Sequence, residues 1–375
     1  MNFRIPEYIK DIKPYVPGKP IEELEREYKI TGSVKLASNE NPLGPSPMAI
    51  NALVSSLQNA HRYPDGSGYV LKKKLSEKLN LDPASLVLGC GSDEIIGMLS
   101  RALLGPGDEV IMTMPSFLMY EIMTRISGAN PVFVPLAGLD IDLDAMAGAI
   151  TAATRMIFIT NPNNPTGSII SQDRLEAFLS RIPEDVVIVI DEAYIEFVRD
   201  EKCADGLSFF DKNRPVVVLR TFSKAYGLAG LRIGYGVMPP DLASVLDRVR
   251  QPFNTSLPAQ AAAAAALDDH KFLDRTRRLV HEEIDFLRAE LKCMGVPSFS
   301  SQANFFLVDV RSDADMFFDQ MLRQGVIIRS MTSYGFPEYI RVSVGLRKEN
   351  LKFLDAFRKV AGYMEKPEIY RGRDR

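Results

Sequence analysis

The sequence predicts an α/β fold: a large unit built on a mainly parallel sheet of seven strands covered by helices, a smaller α+β C-terminal unit, and an N-terminal arm. Three observations predict it. From about residue 38 to residue 250, short apolar runs alternate with amphipathic stretches, the pattern of parallel strands buried between helices. After Pro252 the texture changes to long helical repeats followed by three further strand patterns. With 375 residues, 46% of them hydrophobic, the chain is also long enough to bury two cores.

Residues 1–37 read as an arm and a short helix. IPEYIKDIKPYVPGKP is rich in proline and has little core of its own, and Ile21, Leu24 and Tyr28 then recur at helical spacing. Residues 38–250 hold seven strand patterns, at 85–88, 109–113, 131–134, 156–160, 186–190, 216–219 and 233–237. Several are β-branched and flanked by Gly, Pro or Asn, as buried strands are. Residues 251–365 form the smaller unit. Its alanine run at 261–266 favours helix, and Leu279, Val280, Ile284, Leu287 and Leu291 make one apolar helix face. Segments 305–310, 325–328 and 340–344 read as its strands, and 366–375 as a frayed tail.

Composition narrows the function. Lys plus Arg number 45 and Asp plus Glu 48, a formal net charge of −3, so nothing draws the chain generally to nucleic acid or anionic lipid. Cys90, Cys203 and Cys293 are far apart and form no CxxC pair, which argues against a disulfide framework or a zinc site. His61, His270 and His281 have no metal-ligand spacing either. No run approaches the roughly 18 apolar residues of a membrane span. These features predict a cytoplasmic protein.

The residues able to do chemistry fall at the carboxyl ends of the strand patterns, where open α/β sheets place their ligands. The first pattern runs into Gly89-Cys90-Gly91-Ser92-Asp93-Glu94 and then an apolar helix. Its glycines let the backbone turn closely, Ser92 or Asp93 can cap the helix, and the free amides of its first turn suit an anion. An ordinary capped helix fits the same residues. The pattern at 156–160 leads into NPNNPTG, either a stiff turn or a built loop, and that at 186–190 ends in Asp191-Glu192-Ala193-Tyr194. A carboxylate just beyond a continuous apolar run requires a cationic or donor partner; a helix cap is the plainer alternative. The pattern at 216–219 enters RTFSKAYGLAGLRIGYG, in which Ser223 and Arg232 offer a hydroxyl and a guanidinium to an anion, while the surroundings of Lys224 are apolar.

Taken together, NPNNPTG, DEAY and SKAYGLAGLRIGYG resemble the fold type I aminotransferases that use pyridoxal phosphate. Within them, IKPYVPGKPIEELERE, KLASNENPLGPSP, RYPDGSG and YGFPEYIRVSVG are similar to the histidinol-phosphate group. The resemblance covers nearly the whole chain, from the arm to about residue 360. It implies that Lys224 condenses with the cofactor aldehyde and moves a proton. Asp191 would keep the pyridine nitrogen protonated, and Asn164 and Tyr194 would donate to the ring oxygen. Ser92, Ser223 and Arg232, with the backbone at Gly91 and Ser92, would hold the phosphate, and Asp93 would be among the cofactor-binding residues. Phe117 in PSFLMY stands where the family usually has tyrosine and would stack on the ring; a core aromatic is the alternative.

For substrate, the resemblance implies that Arg341 binds the carboxylate of glutamate and the phosphate of histidinol phosphate in turn, because a planar fork holds either oxyanion at two points. Arg329 would add a second charge, or else form a surface ion pair. Asn41 and Asn304 would line the pocket. Tyr15 and Tyr63 would reach the neighbouring subunit's site, which implies a homodimer. The reaction implied is transamination between L-histidinol phosphate and 2-oxoglutarate, giving imidazole acetol phosphate and glutamate, in histidine biosynthesis. Three alternatives share the scaffold: an aromatic amino acid aminotransferase, a threonine-phosphate decarboxylase, and a binding protein without activity. The last has no need of both Lys224 and Asp191.

Overall fold

The computed structural model describes residues 4–15, 18–210 and 214–365; the tail expected at 366–375 lies outside them. A two-residue strand, β1 (Val34–Lys35), precedes the main sheet. That sheet comprises β2 (Leu86–Gly89), β3 (Glu109–Met114), β4 (Asn130–Pro135), β5 (Thr154–Thr160), β6 (Val187–Asp191), β7 (Val216–Thr221) and β8 (Gly234–Val237). Its spatial order is β2-β8-β7-β6-β5-β3-β4, and only β8 runs antiparallel to its neighbours. All seven strand patterns are strands, within two residues at either end.

Continuous apolar runs form these strands because both faces of the sheet are covered. Successive side chains point to opposite faces. Ile157, Ile159, Ile188, Ile190, Val216 and Val218 therefore pack into one core, with Leu71, Leu75 and Phe178 from the helices on that side. Met156, Phe158, Val187, Val189, Val217 and Leu219 pack into the other, with Ile95, Ile96 and Leu99 from helix Ser92–Leu103.

The smaller unit is built on β9 (Phe305–Asp309), β10 (Val326–Ile327), β11 (Arg329–Ser330) and β12 (Tyr339–Ser343). β9, β12 and β11 form an antiparallel sheet under helices His270–Cys293, Ala314–Arg323 and Arg347–Glu365, with Val280, Ile284, Leu287, Leu291, Phe317 and Phe353 in the core between them. The expected strand at 325–328 is instead split. Its first half, β10, pairs in parallel with β1, and the chain then turns so that β11 joins β12.

Packing divides the chain differently from the boundaries expected at residues 37 and 250. Ala259, Ala262, Ala263 and Ala266 of helix Leu257–Ala266 belong to the large core with Ala49, because methyl-only side chains let helix Pro47–Ser56 approach closely. Leu24 and Ala37, assigned to the arm by sequence, pack instead on Leu322 and Ile327 of the smaller unit. No helix among the described residues is long and apolar enough to cross a membrane.

Candidate active site

At the carboxyl edge of the main sheet lies a cavity of about 350 Å³, walled by the ends of β5, β6 and β7, by the start of helix Ser92–Leu103 and by the arm. Asp191, the last residue of β6, is buried there. Burial pushes its carboxyl up to about 6, against the opposing pull of the Tyr120 hydroxyl and the Ala193 amide, which donate to it at 2.7 and 3.1 Å. Tyr120 is fully buried, stacked on Phe158 with centroids 4.4 Å apart, and its hydroxyl lies 3.0 Å from that of Thr160, the residue beside Asp191 across the sheet. Sequence reasoning missed Tyr120. Its one signal was position, three residues beyond Phe117 and so on the same side of a helix.

Lys224 follows β7 and enters the same cavity. Its amine donates to the Ser38 carbonyl at 3.2 Å. Burial lowers its pKa to about 8; the Arg341 and Arg232 cations add to that effect, and Glu40 and Asp191 oppose it. The amine is therefore far more often uncharged and nucleophilic near neutrality than a solvent-exposed lysine, though still mostly protonated at pH 7.

The third wall is built to hold an anion. Helix Ser92–Leu103 begins after Gly91, which has φ +78° and makes no side-chain cap. Gly91, and not the expected Ser92 or Asp93, takes the N-cap position, because the helix starts one residue earlier than such a cap would require. The Ser92 hydroxyl and the first-turn amides are thus left toward the cavity. Gly234 of β8 makes room for them: a Cβ there would lie 2.4 Å from the Ser92 nitrogen. Arg232 reaches in with only long bonds to the Ser223 hydroxyl and the Ala229 and Cys90 carbonyls, at 3.3–3.4 Å. Among the described residues it pairs with no carboxylate at salt-bridge distance. Asp93 also lines the cavity, with its pKa raised by burial and Oδ1 without a partner.

Asn164 and Tyr194 face the cavity between these groups. The Asn164 oxygen accepts from Arg341 Nη1 at 2.6 Å, and Arg341 Nη2 donates to the Ala37 carbonyl at 2.7 Å. Arg341 is buried, has no carboxylate partner among the described residues, and its Nε is unpartnered. Arg329 stands opposite it in the β11–β12 register. Two adjacent guanidiniums repel one another, and a shared anion relieves that.

The model for class I and II aminotransferases matches residues 31–357. The chain belongs to the class I and II aminotransferases. It is 46% identical over 352 residues to "Histidinol-phosphate aminotransferase 1" of Nitrosococcus oceani, covering 94% of this chain and 95% of the relative. It is 47% identical over 360 residues to the histidinol-phosphate aminotransferase of Desulfotalea psychrophila, covering 95% of each. Among solved structures, the histidinol-phosphate aminotransferase of Sinorhizobium meliloti in complex with pyridoxal-5'-phosphate superposes with a TM-score of 0.89 at 28% identity, covering 97% of this chain and 99% of that one.

The site of this aminotransferase fits such a cofactor: an anion cradle at one end, a buried carboxylate and an amine farther in, and an aromatic side chain, Phe117, on the wall. Gly91, Ser92, Asp93, Phe117, Asn164, Asp191, Tyr194, Ser223, Lys224 and Arg232 all line one cavity, as their shared placement at strand ends anticipated. Of the other expected residues, Arg341 and Arg329 do not line this cavity, Arg341 bonding to Asn164 on its wall, and four more sit elsewhere or differently. Asn304 is fully buried behind the loop and donates to the carbonyls of Asn39 and Glu40 at 3.0 and 3.4 Å. Asn41 donates to the Ala225 carbonyl at 2.9 Å, so it braces the residue after Lys224 from outside the main cavity. Tyr15 was expected in a neighbour's site, but the arm packs on helix Leu118–Ile126 and brings Tyr15 to the wall of its own chain's cavity. Tyr63 lies away from that cavity, 81% exposed and stacked on Phe253 with centroids 4.7 Å apart.

Proposed function

We propose that this aminotransferase exchanges the amino group between L-histidinol phosphate and 2-oxoglutarate, giving imidazole acetol phosphate and glutamate, with pyridoxal phosphate as cofactor in histidine biosynthesis. The observation that carries the chemistry is the convergence of the Lys224 amine and the Asp191 carboxylate on one cavity with an anion cradle at its edge. The choice of substrate is supported by the names and coverage of the relatives.

When bound, pyridoxal phosphate supplies an aldehyde for amines and a ring that takes up the electrons left at the substrate α-carbon. Asp191, held as an anion by Tyr120 and the Ala193 amide, keeps a proton on the ring nitrogen and so favours that uptake. Lys224, once its amine is free, carries a proton between the substrate α-carbon and the cofactor. Ser92, Ser223, Arg232 and the first-turn amides near Gly91 grip the phosphate, Asp93 lies beside them, and Phe117 covers the ring. Arg341 takes the carboxylate of glutamate and then the phosphate of the second substrate, assisted by Arg329 and the Tyr15 hydroxyl.

A homodimer completes this reading. Val54, Leu57, Tyr63, Tyr69, Val70 and Phe253 leave apolar surface exposed around two helices of the large unit, which a second copy would cover, and Tyr63 would then serve that copy's site. The free thiols of Cys90, Cys203 and Cys293 suit a reducing cytoplasm. The deciding experiment compares steady-state rates with imidazole acetol phosphate and phenylpyruvate as acceptors. A preference for the imidazole phosphate is expected; a thousandfold preference for phenylpyruvate would overturn the substrate assignment.

A further inference from the structure

Behind Tyr194 lies a closed chain of hydrogen bonds that runs through none of the residues assigned above except Tyr194 itself. The Asn39 backbone N–H donates to the Ser343 hydroxyl oxygen at 2.9 Å. A backbone amide can only donate, so the Ser343 proton must go elsewhere. Ser343 is buried, and the one acceptor its hydroxyl meets among the described residues is the Asn39 side-chain oxygen, at 2.8 Å. That bond fixes which way the amide faces, leaving its NH2 to donate to the Tyr194 oxygen at 3.0 Å. The opposite orientation would give Ser343 two donors and no acceptor for its proton, an expensive arrangement in a buried site.

We propose that Asn39, held by Ser343, fixes the direction in which the Tyr194 hydroxyl donates, making Asn39 a positioning residue for the hydrogen bond from Tyr194 to the cofactor ring oxygen. An oxygen already accepting from Asn39 keeps its own proton for the cavity side. Burial holds the Tyr194 phenol up to about 12, so that proton is present throughout the working range. Asn39 has φ +55°, a conformation that Asn and Asp tolerate better than other side chains, and Asn304 anchors its carbonyl at 3.0 Å. The loop is thus rigid where a proton's direction is decided. The inference rests on pyridoxal phosphate being the cofactor.

The test measures the pH midpoint of the cofactor's visible absorption band in four holoenzymes: wild type, Asn39→Asp, Tyr194→Phe and the double variant. An aspartate at 39 offers only acceptors, so it draws the Tyr194 proton away from the cavity. Tyr194→Phe is expected to raise the midpoint by about one pH unit or more, the effect of losing a hydrogen bond to a charged oxygen. Asn39→Asp is expected to raise it comparably while Tyr194 is present, and by less than half as much in the Tyr194→Phe background, where only its added charge acts. Equal shifts in both backgrounds, or no shift, would overturn the proposal. Should Asn39→Asp fail to fold, Ser343→Ala frees the amide to rotate; a smaller upward shift that needs Tyr194 is expected, and its absence counts against the proposal. A protein that gains no visible band in any form would overturn the cofactor assignment itself, and this inference with it.

Discussion

The Arg341 guanidinium donates to the side-chain oxygen of Asn164 at 2.6 Å, and because a guanidinium has no acceptor, Asn164 must turn its NH2 to the cavity. The residue proposed to hold substrate thereby orients one proposed to hold the cofactor. Arg341→Lys should raise KM for glutamate about 10- to 100-fold, the worth of a lost bond to a charged group. It should also shift the cofactor's absorption. A raised KM with an unchanged spectrum would separate the two roles.

Lys224 gives a pH prediction with a definite sign. Its folded pKa of about 8 lies below the ordinary 10.5, so between those values the unfolded chain binds more protons and stability rises with pH. Below about pH 8 the penalty of a buried ammonium is at its largest. Cofactor-free Lys224→Met should therefore be more stable than the parent at pH 7, by urea midpoint, and the difference should shrink from pH 8 to 10.5. A constant difference across that window would contradict a desolvated amine. The variant should have no transaminase activity.

Gly91 is the position where the phosphate cradle is least tolerant. A Cβ there would lie 2.6 Å from Arg232 Nη2, at a φ of +78° that L side chains rarely adopt. Gly91→Ala should weaken cofactor binding at least tenfold in equilibrium dialysis. Unaltered affinity would show that the anion sits elsewhere.

Glu192, next to Asp191, is fully buried, accepts from Arg220 Nε at 2.8 Å and from the Gly206 amide at 2.5 Å, and lies 2.7 Å from Arg220 Nη2 in an ion pair. This pair ties the end of β6 to the end of β7, the two strands that deliver Asp191 and Lys224. Arg220→Ala leaves a buried charge unpaired and should cost about 3–5 kcal/mol of stability, measured by denaturant titration. A loss under about 1 kcal/mol would mean that water reaches Glu192.

If Tyr63 serves a second copy, two disabled chains should rescue one another. Mixed dimers of Lys224→Ala and Tyr63→Ala contain one site with both defects and one with neither. Activity above that of either parent is expected after the two are co-refolded. No recovery in a verified mixed dimer would place Tyr63 outside the reaction.

The strand ends were readable because parallel strands covered on both faces must be apolar throughout, so the first polar residue after each run marks an edge: Asp191 stands out for that reason, while Lys224 lies four residues past Arg220, the first polar residue after its run, and stood out only with the motif around it. Tyr120 did not, since a tyrosine within a helix carries no pattern of its own and its partner Asp191 is distant in sequence. Asn39 was equally hidden, and Asn304, named only through the resemblance, was expected on the pocket wall rather than beneath it. Their amides bond across the chain, to Tyr194 and to a loop backbone, and no local spacing encodes such a bond. β1 was missed because two residues are too few to show alternation. Helix Leu257–Ala266 was recognised as a helix but assigned to the wrong unit, because alanine suits either neighbour.

The pairing of Val34 with Val326 has a consequence for the order of assembly. A ribosome adds about 5–20 residues per second, so β1 waits unpartnered while nearly the entire remainder is synthesised. The large sheet, whose strands lie between residues 86 and 237, can close during that interval. The smaller unit cannot. A nascent polypeptide halted before residue 326 should carry a finished cofactor-binding half and, around β1, a stretch without its partner strand, open to proteolysis until the final segment emerges.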